Sequence, residues 1–201
     1  MKILGIACSP RKNKTTAAAV KAALAAAKDA APGVKTQLIE LAGLDVKGCV
    51  ACGKCMKKPE CAHKDDFMKV LVPALMDPDL AGVIVGSPVY FQGMTWLAKI
   101  FFDRAVLLRR NGFILRDKVA GAISVGNARN GGQELTLQAM HAAMLCQDMI
   151  VVSDGRPSAH LGGTLINTKN SIEGDDMGLA TARGTGARVA QVAAMIQASR
   201  A

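Results

Sequence analysis

The chain has 201 residues, half of them hydrophobic but only 3% aromatic, with 25 Lys and Arg against 16 Asp and Glu for a formal charge of +9. That length and apolar fraction support a sizeable core without staples, filled by aliphatic side chains and alanine. The basic excess favours anionic ligands or acidic partners, but no tract has the form of a nucleic-acid arm and no aromatic stripe offers stacking for bases, so nucleic acid is excluded as an expected partner.

The N-terminal stretch "MKILGIACSPRKNKTT" has too short an apolar run for a signal peptide. No stretch further on approaches the roughly 18 apolar residues of a membrane span. A cytoplasmic location is expected, and in that reducing compartment no structural disulfides. "KILGIA" at 2–7 is a short apolar run that predicts a buried strand. Alanine-rich "TTAAAVKAALAAAKDAA" at 15–31, stopped by Pro32-Gly33, predicts a helix. "VKTQLIEL" at 34–41 alternates as a second strand, a cysteine-rich loop occupies about 45–64, and "DDFMKVLVPALM" at 65–76 predicts a short helix capped by Asp65-Asp66. Next come a buried strand at 81–88, a helix at 95–108, a buried strand at 118–126, a helix at about 133–146 and a fifth strand at 149–155. A polar, glycine-bearing segment then runs to about Met177, and the last helix, headed by Asp175-Asp176, carries Val189, Val192, Ala193 and Ile196 on one face.

Five strands alternating with helices predict an α/β fold with a doubly wound parallel sheet. No internal repeat, linker or boundary divides the chain, so residues 1–201 are expected to form a single flavodoxin-like domain with strand order 2-1-3-4-5. The first strand–helix turn argues for that type over the dinucleotide type, because "GIACSPRKNKTT" lacks the G-x-G-x-x-G glycines, and also those of a Walker loop. It offers instead Ser9, Arg11, Asn13, Lys14, Thr15 and Thr16 at the mouth of a helix, where hydroxyls, backbone N–H groups and cations suit a phosphate. The bland alternative is a helix cap in a solvated basic loop, which needs only one Ser or Thr.

In a 2-1-3-4-5 sheet, ligands sit beyond the strand C-termini at the switch point between strands one and three. The loop after strand three carries Pro88, Val89, Tyr90, Phe91 and Gly93, with two aromatics that can line a flat ring or else pack under the loop. The loop after strand four, "GNARNGGQE", supplies Asn127 and Gly131 for a polar rim and close backbone approach. A phosphate site beside a flat heterocycle points to a mononucleotide such as FMN.

Cys49, Cys52, Cys55 and Cys61 take the spacing C-x2-C-x2-C-x5-C and account for four of six cysteines. Iron–sulfur cubanes take thiolates from such compact runs. Zinc more often uses two separated knuckles, though an all-thiolate zinc site, reduced thiols or a regulatory disulfide remain open. Cys8 and Cys146 are expected to be buried structural thiols. His63, two residues past Cys61, could replace a metal ligand, but four cysteines suffice and a loop residue is expected; His141 and His160 have no evident partners, and no residue is assigned acid–base work.

"SPRKNKTT", "GSPVYFQGMTWLAKIFFDR" and "GNARNGGQE", in this order, resemble the NADPH-dependent FMN reductase-like flavoproteins, and "CVACGKCMKKPECAHKDDF" narrows the resemblance to the iron–sulfur flavoproteins. The resemblance spans nearly the whole chain. It implies FMN held through the first, third and fourth strand–helix loops, with Ser9, Arg11, Asn13 and Thr16 on the phosphate and Pro88, Val89, Tyr90 and Phe91 along the ring. It implies one [4Fe–4S] cluster on Cys49, Cys52, Cys55 and Cys61, and a homodimer or homotetramer. Lys14 departs from the small polar residue usual in the family.

The function expected is an oxidoreductase moving electrons between a soluble carrier, ferredoxin-like, and a terminal acceptor such as oxygen, peroxide or quinone. Two alternatives stand beside it: an NAD(P)H-dependent flavin or quinone reductase with a structural cysteine loop, and a non-enzymatic nucleotide-binding redox sensor. Lys47, Lys54, Lys57, Lys58 and Lys64 around the cysteines would suit an acidic carrier, or simply offset thiolate charge.

Overall fold

The computed structural model describes residues 1–199. Strands β1 (Lys2–Ala7), β2 (Lys35–Glu40), β3 (Leu80–Pro88), β4 (Val119–Gly126) and β5 (Ile150–Val151) form a parallel sheet in the order β2-β1-β3-β4-β5. Every residue of β4 is buried, as a parallel strand covered on both faces must be. Helices α1 (Thr15–Ala30) and α5 (Asp176–Ala198) cover one face of the sheet. The other face is covered by α2 (Val72–Leu75), α3 (Trp96–Arg110) and α4 (Gln133–Leu145). Among the described residues, no helix is long and apolar enough to cross a membrane.

Small residues set how closely these layers approach. A Cβ on Gly86 of β3 would stand 2.5 Å from Val20 Cγ2 of α1, and one on Gly5 of β1 would stand 2.6 Å from Val20 Cγ1. The alanine-rich face of α1 therefore lies directly on the strands. This brings the mouth of α1 down to the edge where β1 and β3 end.

The fifth strand differs from the expectation of a run over 149–155. It is two residues long and pairs only with Val119 and Ala120 at the start of β4. The chain then leaves the sheet, and a sixth strand, β6 (Gly163–Ile166), returns to pair parallel with Ile123–Gly126. One edge position is thus shared by two short strands. "SDG" and the following Arg-Pro cannot continue a ladder, since proline has no N–H to give it.

Asp65 and Asp66 do not act as the expected caps. A π-helical turn, Phe67–Leu71, runs into α2, and no side chain caps its start. Instead Asp66 accepts a hydrogen bond from the Asp45 N–H at 2.9 Å, and Asp65 accepts one from the Lys47 N–H at 2.9 Å. Both close the base of the cysteine loop. Asp175 does cap α5, accepting from the Gly178 N–H at 3.1 Å.

Candidate functional sites

At the C-terminal edge of the sheet a cavity of about 330 Å³ is lined by Ser9, Arg11, Thr15, Pro88, Val89, Tyr90, Val125, Asn127 and Asn167. It sits at the switch point, where the chain leaves β1 and β3 in opposite senses. Ser9 accepts a hydrogen bond from the Arg11 N–H at 3.1 Å, which curls the first loop. Arg11 Nη1 donates to Asn170 Oδ1 at 2.6 Å, which draws the guanidinium toward the segment after β6. Lys14 takes the N-cap position of α1 in extended conformation, without a side-chain cap. The first N–H groups of the helix are left to what lies at its mouth, where an anion is favoured.

The loop after β3 is a tight turn. Tyr90 and Gly93 exchange backbone hydrogen bonds of 2.8 and 3.0 Å, and between them Phe91 and Gln92 hold φ of +47° and +64°. That is the φ signature of a type I′ turn, which ordinarily takes Gly, Asn or Asp. A bulky residue there is strained. Thr95 anchors the far side, donating to Cys8 O at 2.6 Å and accepting from the Ala98 N–H at 3.2 Å.

Gln133, 1% exposed, shapes the loop after β4. Its Oε1 accepts from the Gly131 N–H at 2.8 Å, and its Nε2 donates to Ala128 O at 2.7 Å. Gly132, at φ +101°, lies against the Gln92 side chain and leaves no room for a Cβ, so the two loops fit together.

Seven expected residues share this cavity: Ser9, Arg11, Thr15, Pro88, Val89, Tyr90 and Asn127. The others lie around it. Asn13, at φ +53°, gives its N–H to Glu40 Oε2 at 2.8 Å. Thr16 is buried with its methyl toward Gly86. Lys14 is exposed, Phe91 is wholly exposed, Gly93 closes the turn, and Gly131 is held by Gln133.

Two residues that the sequence reading passed over belong here: Asn167, in the cavity wall, and Asn170, the acceptor of Arg11. Asn167 Nδ2 donates to Asn127 Oδ1 at 3.0 Å, while its own Oδ1 is buried without a partner. The signal available was the apolar "TLI" just before "NTKN", which marks a strand end beside a polar loop.

Cys49, Cys52, Cys55 and Cys61 line a second cavity, of about 30 Å³, with Glu60, His63, Arg104 and Arg110. The loop begins beside the phosphate-type loop but does not stay at the sheet edge. It runs down the flank of α3, where Asn111 Nδ2 donates to Cys55 O at 3.0 Å and Arg110 Nη1 donates to Cys55 Sγ at 3.3 Å. α3 has 15 residues, so it spans about 22 Å at 1.5 Å per residue. Cys55 is therefore fixed near the end of α3 remote from Thr95 and the first cavity.

The base of the loop is held by a buried ion pair between Asp65 and Arg104, and Arg104 Nη1 also donates to Lys47 O at 3.2 Å. The Arg104 guanidinium lies 4.3 Å from the Phe67 ring centre. Burial pushes the Asp65 carboxyl up, but hydrogen bonds from Arg104 and the Lys47 N–H outweigh it and hold the group below its ordinary range. Removing one partner of such a pair leaves an uncompensated buried charge, at a cost of about 3–5 kcal/mol. At the rim, the hydrogen bond from Lys58 to Glu60 lowers that carboxyl. Lys57 and Lys64 make no ion pair among the described residues.

Among the described residues, no three His, Cys, Asp or Glu side chains converge tightly enough to clasp a metal ion. The donor set nonetheless fits an iron–sulfur cluster: four cysteines line one cavity, Arg110 reaches the thiol of Cys55, and Arg104 Nε and Nη2 are buried with no acceptor. The mononucleotide cavity fits FMN by the same kind of test, with hydroxyls, Arg11 and an uncapped helix at one end and the orphaned Asn167 Oδ1 in its wall.

Of the remaining thiols, Cys8 is buried, and burial pushes its thiol far up. Cys146 is exposed rather than buried. It stands at the C-cap of α4, a helix that also exposes Leu135 and Leu145, so the apolar character of this helix does not mark a single inward face. His63 Nε2 lies 3.1 Å from Gly48 O, as a loop residue.

A parallel 2-1-3-4-5 sheet with a polar cavity at its switch point defines a flavodoxin-like protein. Consistent with this, the chain resembles the solved structure of a WrbA-like flavodoxin from Agrobacterium tumefaciens at TM-score 0.65 and 21% identity, over 96% of this chain and 97% of that one. The model of the NADPH-dependent FMN reductase family matches residues 1–163. An iron–sulfur flavoprotein of Methanocaldococcus jannaschii is 42% identical over 98% of this chain and all of its own length. That of Methanosarcina thermophila is 40% identical over 100% of this chain and 99% of its own. The chain belongs to the NADPH-dependent FMN reductase family and, within it, to the iron–sulfur flavoproteins.

Proposed function

We propose that this flavin-dependent oxidoreductase holds FMN in the switch-point cavity and a [4Fe–4S] cluster on Cys49, Cys52, Cys55 and Cys61, and passes electrons between a soluble one-electron carrier such as ferredoxin and a terminal acceptor, oxygen, peroxide or a quinone. The observation that carries this reading is the lining of one cavity by four cysteines in a chain whose sheet edge offers a second, polar cavity of mononucleotide size. Bound together, the two groups supply coupling between a one-electron carrier and a two-electron substrate.

The chain's own residues then bind and orient. Ser9, Arg11, Thr15 and the open mouth of α1 receive the phosphate, with Asn13, Lys14 and Thr16 fixing the loop around it. Pro88, Val89 and Tyr90 line the ring, Phe91 and Gly93 complete the turn that presents them, and Asn127, Gly131 and Asn167 form the polar edge.

Cys55 is held at the end of α3 remote from the first cavity. Phe91, Trp96, Leu135 and Leu145 are exposed apolar side chains on the loop after β3 and on helices α3 and α4. Both observations support a homodimer or homotetramer in which the cysteine loop serves the flavin of a neighbouring subunit. Lys57 and Lys64, which make no ion pair among the described residues, suit an acidic carrier, in the reducing setting of a cytoplasm.

The test is anaerobic purification followed by iron, sulfide, zinc and flavin analysis and an absorption spectrum. The expected result is about four irons and four sulfides per chain, with flavin bands on a brown background that dithionite bleaches. Flavin without iron, together with fast reduction by NADPH, would favour the reductase with a structural cysteine loop. A colourless zinc protein would overturn both.

A further inference from the structure

Arg104 stands in the middle of α3 and is 3% exposed. Its Nη1 is committed to Asp65 and to Lys47 O, and the Phe67 ring covers its guanidinium. Nε and Nη2 are left buried with no acceptor. A buried donor without a partner carries its full desolvation penalty, and native structures rarely leave one so. The side chain lines the same cavity as Cys49, Cys52, Cys55 and Cys61, and farther along α3 Arg110 already reaches Cys55 Sγ at 3.3 Å. The acceptor that Arg104 lacks is therefore one that sulfur in this cavity can provide.

We propose that Arg104 is a positioning residue of the metal centre: its free N–H groups hydrogen-bond sulfur in the cysteine cavity and, with Arg110, raise the reduction potential of the iron–sulfur group held there. The proposal rests on the cluster reading above. Reduction adds one electron, supplied by dithionite or a reduced ferredoxin, and breaks no bond. The added negative charge is stabilised by nearby cations and N–H donors more than the oxidised state is, and burial strengthens the effect. Asp65 and Phe67 keep the guanidinium from turning away, as an outer layer of hydrogen bonds does around metal ligands.

A merely structural role is also available, since the same ion pair closes the base of the loop. The two differ in what they move. A clamp changes iron retention and melting temperature, whereas the proposed contact changes the midpoint potential and the spectrum of the reduced centre.

The measurement is an EPR-monitored redox titration of the iron-loaded full-length protein. Arg104→Lys keeps the charge and the Asp65 pair but removes Nε and Nη2. The double variant Arg104→Met/Asp65→Asn removes the pair without stranding a charge. The double variant is expected to shift the reduction equilibrium at least tenfold toward the oxidised form, about 59 mV downward for one electron. Arg104→Lys should shift it part of the way, and both should alter the EPR signal of the reduced centre. Unchanged midpoints and signals in variants that hold iron would overturn the proposal and leave the clamp. If the double variant loses its iron, Arg104→Lys alone decides by the same criterion. A wild-type chain without iron and sulfide would overturn the cluster reading itself, and this inference with it.

Discussion

The two candidate sites are built in opposite ways. The mononucleotide cavity, about 330 Å³, is assembled from the ends of buried strands, and its loops are tied to one another through Gln133, Thr95 and the pair Asn127–Asn167. The cysteine cavity, about 30 Å³, has room for only one or two waters. It is bounded by a loop in which Cys49 and Cys52 are exposed and Ala51 holds φ of +53°. That loop is pinned at its base by Asp65 and Arg104 and at Cys55 by Arg110 and Asn111, with little regular structure between. A site made from a sheet edge comes with the fold. A site made from a loop has to be completed by what it binds, so that binding energy becomes local folding energy.

The largest effect follows from that contrast. Each of Cys49→Ser, Cys52→Ser, Cys55→Ser and Cys61→Ser, purified anaerobically, should lose nearly all iron and sulfide yet keep stoichiometric FMN. Cys146→Ser, exposed at the end of α4, should keep both. Full iron in any one of the four would remove that residue from the ligand set, and loss of flavin in all of them would mean the two sites are not independent. Removing the metal should show the same asymmetry in another readout. Chelator-treated protein should be nicked by trypsin within 47–58, where the lysines are exposed. Iron-loaded protein should resist at the same dose, and equal resistance in both states would show a loop already ordered without metal.

On the sheet-edge side the effects are graded rather than all-or-none. Arg11 faces the cavity, and a charge-assisted hydrogen bond contributes about 1.5–3 kcal/mol. Arg11→Ala should therefore weaken FMN by roughly ten- to a hundredfold, since 1.4 kcal/mol is about tenfold. Riboflavin, which lacks the phosphate, should be nearly indifferent to the change. Asn170→Ala removes only the neutral acceptor that orients Arg11, so its loss should be below about tenfold. Equal losses for FMN and riboflavin in Arg11→Ala would assign that side chain to the ring or the fold.

The same contrast explains what could be read from the sequence. Buried parallel strands are apolar runs, and the strands expected at 2–7, 34–41, 81–88 and 118–126 lie within a residue or two of β1 to β4. Local turn chemistry likewise brought Ser9, Arg11, Thr15, Pro88, Val89, Tyr90 and Asn127 to one edge. The split edge strand was not legible, because β6 has four residues and follows a long polar stretch, and Asn167 and Asn170 went unread with it. Arg104 was hidden for another reason. In a helix containing Lys99, Asp103, Arg109 and Arg110 it looks like one more surface charge, and only the tertiary pairing with Asp65 buries it. Asp65 looked like a cap because it precedes a helix, and its partner is far away in sequence.

The smallest expected effect concerns the encounter with the electron carrier. Lys54 and Lys58 are partly neutralised by Glu60, whereas Lys57 and Lys64 make no ion pair among the described residues. A docking patch and simple compensation of thiolate charge both account for these lysines, but they differ in salt dependence. Steered association slows as ionic strength rises, because the Debye length shortens to about 8 Å at physiological salt. Charge compensation within the loop would alter the retention or potential of the bound metal, not the encounter rate. In stopped-flow reduction by dithionite-reduced ferredoxin, the second-order rate should fall several-fold from low to physiological salt. It should be lower again, and less sensitive to salt, in Lys57→Glu/Lys58→Glu. Each residue lies far from the mononucleotide cavity along the chain and lines neither site, so FMN affinity should not change. A salt-independent rate would leave the lysines to charge compensation. Fast reduction by NADPH with none by ferredoxin would move the source of electrons from the cysteine loop to the flavin edge.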